Sequence, residues 1–146
     1  MLWTGADGLA DSQSALDTAN ALSGAGSSWS LHFYLGDRGV LALQARRAVV
    51  AAPAGWPRAE FQGYLLFRRP TYIRLPPYLN VEALRFYVAS REEANRALAG
   101  TACEMVVGIR CRLNGATVRY YVACDGVRLA LPRAEAPPHF LDGYCE

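Results

Sequence analysis

A chain of 146 residues, 52% hydrophobic and 19% charged, is long enough to bury one core and too apolar for a disordered tail. No apolar run reaches the roughly 20 residues that a membrane helix needs, so a membrane partner is not expected. The net charge of +2 is too small to demand nucleic acid, yet all fifteen basic residues are arginine and lysine is absent. A GC-rich genome explains that bias through its codons; selection against lysine modification in a viral or host-delivered protein is the sharper alternative.

Residues 1–13 carry neither the basic start nor the continuous apolar stretch of a secretory leader, and an intracellular protein of cytoplasm or nucleus is expected. Residues 1–28 read as an N-terminal arm and short helix, loose over 1–10 with Leu2 and Trp3 as docking groups. Asp11 or Ser12 caps the helix, Ala15, Leu16, Ala19 and Leu22 form its apolar stripe, and Gly24 stops it. A single α+β domain is expected over 29–132, with a tail over 133–146.

Residues 29–35 alternate, with Trp29, Leu31, Phe33 and Leu35 on one face, and predict a strand. After the turn at Gly36-Asp37-Arg38-Gly39 the pattern is ambiguous. Leu41, Ala45, Ala48 and Ala52 share a helical stripe, whereas Val49-Val50 and the preceding turn suit a returning strand. The expectation is a helix over 40–47 and a strand through 51. Residues 60–68 predict a strand broken by Arg69-Pro70, and 71–75 a short extended piece before Pro76-Pro77. Residues 80–100 admit one helix capped by Asn80, or a strand over 83–89 and a Ser90-capped helix over 91–99. The run Arg85-Phe86-Tyr87-Val88 and the capping box Ser90-Arg91-Glu92-Glu93 favour the second.

Two hairpin signals, Asn114-Gly115 and Asp125-Gly126, are flanked by alternating apolar residues. The first sets Leu113 opposite Ala116, Cys111 opposite Val118, Ile109 opposite Tyr120, Val107 opposite Val122 and Met105 opposite Cys124. The second sets Cys124 opposite Val127, Val122 opposite Leu129 and Tyr120 opposite Leu131. Together they predict a three-stranded antiparallel meander over 102–131. The fold class is therefore α+β, an antiparallel sheet with two or three short helices packed on one face. None of Cys103, Cys111, Cys124 and Cys145 forms a C-x-x-C pair, and the in-sheet cysteines read as reduced thiols in a reducing compartment.

Three segments resemble the rolling-circle replication initiator (Rep) endonucleases of small circular DNA viruses. Phe33-Tyr34-Leu35-Gly36-Asp37 resembles their first motif, a strand ending F-T-L-N-N. Glu60-Phe61-Gln62-Gly63-Tyr64-Leu65-Leu66-Phe67 resembles the second, H-L-Q-G-Y/F-x-x-F. Val88-Ala89-Ser90-Arg91-Glu92-Glu93-Ala94 enters a helix as the family's Y-x-x-K helix is entered. The resemblance spans 29–100 and implies a DNA-binding scaffold. It also implies lost nicking: Ala97 matches the attacking tyrosine, Gly100 the lysine and Glu60 the metal-binding histidine. Gln62 is the polar group retained in the second motif.

Outside that resemblance no catalytic arrangement stands out. His32 and His139 are the only histidines, Ser90 reads as a cap, and no glycine loop cradles phosphate; no metal or cofactor is expected. The outward face of the meander collects Arg110, Arg112, Arg119, Tyr121 and Arg128, with Arg46, Arg47, Arg68 and Arg69 extending the footprint. Like charges opposite one another cost stability, and arginine forks bind phosphate while an aromatic among them stacks a base. The expectation is a non-catalytic binding module whose partner is nucleic acid or an acidic protein surface.

Overall fold

The computed structural model describes residues 2–4, 9–35, 39–50, 57–76, 78–79, 83–98 and 105–131. They form two antiparallel sheets and two helices, an α+β fold. In chain order these are β1 (Leu2–Thr4), α1 (Leu9–Gly24), β2 (Ser28–Leu35), β3 (Val40–Val50), β4 (Pro57–Arg68), β5 (Tyr72–Arg74) and β6 (Tyr78–Leu79), then β7 (Arg85–Val88), α2 (Arg91–Ala97), β8 (Met105–Leu113), β9 (Ala116–Cys124) and β10 (Gly126–Leu131). The six-stranded sheet runs β1-β10-β4-β3-β2-β6 and the four-stranded sheet β5-β9-β8-β7.

The helical reading of 40–47 is corrected: β3 is a strand throughout, paired with β2 on one side and β4 on the other. Val40 through Ala45 are all buried. A strand covered on both faces loses the apolar–polar alternation that identifies strands, and its alanines then imitate a helical stripe.

Asn114 and Gly115 both have positive φ, 53° and 81°, as a type I′ turn requires, and β8 pairs with β9 in the predicted register throughout. The predicted third strand of the meander is corrected. Neither Asp125 nor Gly126 is among the positive-φ residues. Instead of reversing, the chain turns a corner there and carries β10 into the six-stranded sheet, where Val127 faces Phe67 and Leu129 faces Leu65. β4 and β5 bend alongside at Arg69 and Pro70. The Asp125 N–H donates to the Arg68 carbonyl (2.8 Å) and the Thr71 N–H to the Ala123 carbonyl (2.8 Å), so the ladder runs through the bend. Two bent strands, β4–β5 and β9–β10, thus bind the sheets together, which is how strands switch sheets at a sandwich corner.

The helices do not share one face. α1 packs Ala15, Leu16 and Ala19, all fully buried, into the core between the sheets. Helix entry precedes the expected cap, so Ser12 lies inside the helix and its hydroxyl accepts from the Val127 N–H (3.1 Å). The helix ends at Gly24 and is closed past its end by Gly26 (φ 100°), with the Ser27 N–H donating to the Leu22 carbonyl (3.0 Å) in a Schellman motif. The Asn20 amide meets the β7 edge from both sides of one residue, donating to the Phe86 carbonyl (2.9 Å) and accepting from the Phe86 N–H (2.7 Å). α1 therefore stands where a further strand of the smaller sheet would lie. Residues 2–4, expected as part of a loose arm, pair with β10.

α2 lies on the opposite, outer face of the smaller sheet. The preferred reading of 80–100 holds: Ser90 caps α2 by accepting from the Glu93 N–H (3.2 Å). Ala89, Ala94 and Ala97 pack on a cluster of Val106, Tyr121, Ala123 and Leu98. Cys111 and Cys124 are buried, while Cys103 and Cys145 fall outside the described residues. No helix among the described residues is long and apolar enough to cross a membrane.

Candidate nucleic-acid interface

Alternation along β7, β8 and β9 sends Phe86, Ile109, Cys111 and Val122 inward and leaves the other parity on the outer face. Arg110 lies opposite Arg119 on β9, as the sequence predicts, and opposite Arg85 on β7. Three arginines thus stand in a row across three strands, rooted within about 10 Å of one another at ordinary strand spacing. Arg112, opposite Thr117, adds a fourth one step toward the hairpin tip. All four are exposed, and among the described residues no hydrogen bond or ion pair ties their guanidinium groups. An open cleft of about 300 Å³ is lined by three of them, Arg110, Arg112 and Arg119, with Ala83, Cys111 and Thr117.

One step away from the tip the same face changes character. Gly108 carries no side chain because the Tyr87 ring lies across it; a Cβ there would collide with Tyr87 Cζ. The Tyr87 hydroxyl donates to Glu93 Oε2 of α2 (2.5 Å). Burial first, then the Glu93 and Tyr121 contacts, push the Tyr87 phenol far above its ordinary pKa, so it stays a donor. Tyr121, predicted to stand free among the arginines, is on their face but only 8% exposed beneath α2. The base-stacking role assigned to it is corrected: helix packing occupies its ring.

The remaining predicted arginines are dispersed. Arg128 follows β10 into the six-stranded sheet opposite Leu66, and Arg68 lies opposite Val40; both are half-buried on that sheet's outer face. Arg69 sits at the corner, 3.6 Å from Asp125. Arg46 donates to Gln44 Oε1 (3.0 Å), and Arg47 lies opposite Glu60. Arg85 was missed, although alternation in Arg85-Phe86-Tyr87-Val88 already puts it on the polar face. What the sequence lacks is the identity of the strand beside it.

No known protein family, curated protein or solved structure matches this chain.

A second polar cluster occupies the outer face of the larger sheet. Gln44 donates to the Tyr64 hydroxyl (3.3 Å), which lies 3.4 Å from His32 Nε2, and Phe61 packs on the Tyr64 ring (centroids 4.7 Å apart). His32 is the extra residue of a bulge between Leu31 and Phe33, which turns its ring toward Tyr64. Burial, and secondarily the Arg46 charge, hold the His32 pKa below its ordinary value. Burial raises Tyr64 despite Gln44 and Arg46. His32 thus sits in an aromatic and amide cluster that favours its neutral form.

The segments that resemble Rep motifs lie apart. Phe33-Tyr34-Leu35 and Glu60 through Phe67 are on β2 and β4 of the larger sheet, whereas Ala97 is on α2 against the smaller one. Gly36, Asp37 and Gly100 fall outside the described residues. Glu60 is exposed, and Gln62 donates to its carbonyl (3.3 Å). Among the described residues no group of three or more His, Cys, Asp or Glu side chains could hold a metal.

Proposed function

We propose that the protein is a non-catalytic binding module whose smaller sheet presents Arg85, Arg110, Arg112 and Arg119 to the phosphate backbone of a nucleic acid. The observation that carries this reading is the four exposed guanidinium groups of these residues on one face, with no carboxylate partner among the described residues. Repulsion between directly opposed like charges disfavours such a face unless an anionic ligand offsets it. Guanidinium forks match phosphate oxygens with two hydrogen bonds each.

An acidic protein surface would also attract the row, but protein interfaces depend on a buried aromatic or apolar anchor. Beside the arginine row the aromatics of this face, Tyr87 and Tyr121, are already engaged by α2, and the exposed Tyr72 lies away from the row on the edge strand β5, opposite Ala123. A charged row without an aromatic anchor of its own suits a polyphosphate chain better. The buried Cys111 thiol fits a reducing compartment, and a cytoplasmic or nuclear location belongs to the same proposal. Burial also raises the Cys111 thiol, which keeps it protonated and inert. The Rep-like segments do not enter the argument, because they lie on other elements.

The test is the double variant Arg110→Glu/Arg119→Glu, read by fluorescence anisotropy on labelled oligonucleotides. The inward residues Ile109 and Tyr120 are untouched, so the variant folds, and circular dichroism checks that it has. Affinity should fall by at least about a hundredfold, because each reversal turns attraction into repulsion. A folded double variant that binds as the unaltered protein does removes this function.

A further inference from the structure

We infer that the arginine row holds one phosphodiester chain of a single-stranded nucleic acid, laid across the strands from Arg85 over Arg110 to Arg119. This rests on the reading of the face as a phosphate binder and adds the strand state and path of the ligand. The row is linear because the three residues are register partners on neighbouring strands, so the charges point one after another at right angles to the hairpin. Its borders make it narrow. On one side Tyr87 fills the surface over Gly108, and α2 stands on Val106, Tyr121 and Ala123. A helix with its side chains rises about 10 Å and makes a wall there. On the other side the sheet ends at the Asn114-Gly115 turn.

From the level of Arg110 to Leu113 the strip spans four residues, three steps or about 10 Å along the strand. A single backbone fits in that strip. A duplex presents two backbones flanking a major groove of about 12 Å, so it overreaches the strip and meets α2. Arg112, one step toward the tip and opposite Thr117, grips the same chain from its open side across the cleft. Arg85 is thereby a binding residue equal to Arg110 and Arg119, although it lies on another part of the chain.

The experiment measures anisotropy of the full chain with a labelled single-stranded oligonucleotide, its hairpin duplex and polyglutamate over a range of salt. The single strand should bind about tenfold or more tighter than the duplex, with a log–log salt slope near −3 for four contacts at about 0.7 each. Arg85→Gln should cost about as much affinity as Arg110→Gln, roughly tenfold, and lower the slope by about one contact. Arg46→Gln, on the other sheet, should leave binding unchanged. Equal or tighter duplex binding, with sensitivity to Arg110→Gln intact, overturns the single-strand inference and leaves the phosphate-binding function standing. Arg85→Gln binding unchanged overturns the path. Capture of polyglutamate with no oligonucleotide binding overturns both readings.

Discussion

Gly63 and Gly108 are glycines because another group fills the space of a Cβ, and the two neighbours differ in how readily they yield. At Gly63, with φ of 154°, an added Cβ would meet the Ala130 carbonyl oxygen at 2.8 Å, and backbone inside a ladder cannot move aside. At Gly108 the obstruction is the end of the Tyr87 ring, which can swing away at the loss of its bond to Glu93. Gly63→Ala should therefore cost about 2–4 kcal/mol and Gly108→Ala about 1–3 kcal/mol in urea denaturation. The reverse order would show that β10 yields more readily than the Tyr87 contact. His32 makes a separate prediction. Its folded pKa lies below the ordinary 6.5, so the unfolded chain binds the proton more readily. Stability from this residue is complete above the unfolded pKa and falls as pH drops through it toward the lowered folded value. The urea midpoint should decrease between about pH 7.5 and 5.5, and His32→Gln should flatten that slope.

At the scale of elements, α1 is held by two side chains that serve as ladder partners for strands at their unpaired sides. Beyond the short reach of β1, which pairs only with Leu129, Ala130 and Leu131, Ser12 takes the Val127 N–H. Asn20 takes both backbone groups of Phe86 on the β7 edge, which also protects that edge from pairing with another chain. Asn20→Ala leaves a donor and an acceptor without a partner and should lower stability by about 2–3 kcal/mol. Ser90→Ala removes one cap from a seven-residue helix on the outside and should cost about 1 kcal/mol. Hydrogen exchange separates the two: Asn20→Ala should expose β7 amides, and Ser90→Ala only those of α2. Similar exchange in β7 for both variants would argue against Asn20 as the edge partner.

For the whole molecule, charge on the smaller sheet works against folding and is retained on one face. Arg110 faces like charge on both sides. Arg110→Gln should thus raise stability by about 0.2–1 kcal/mol while lowering oligonucleotide affinity, a trade that a merely solvated arginine would not show. Thermal melts at low and high salt provide the check, since screening should shrink the gain. A variant equally stable at both salts would mean that the opposed charges do not strain the sheet. The larger sheet, with Tyr64, Gln44 and Arg46 linked on its outer face, has no comparable row of opposed arginines among its described residues.

Local chemistry was legible in the sequence wherever a few neighbouring residues decide the outcome. Asn114-Gly115 specifies a turn whose two residues must have positive φ, and from it the β8–β9 register, the inward thiols and the Arg110–Arg119 pair all follow. Ser90 and Glu93 likewise mark the start of α2 without outside help. Tertiary structure decided the features that depend on distant segments. β3 is a strand because β2 and β4 flank it, although its alanines also fit a helix. Asp125-Gly126 is a corner because β10 pairs with β4 and not with β9, and that moves Arg128 to the other sheet. Tyr121 is buried because α2 lands on it, and Arg85 joins the arginine row because β7 pairs with β8. Periodicity states which face of a strand a residue occupies; what covers that face, and which strand lies beside it, is set by pairing between residues far apart in the chain.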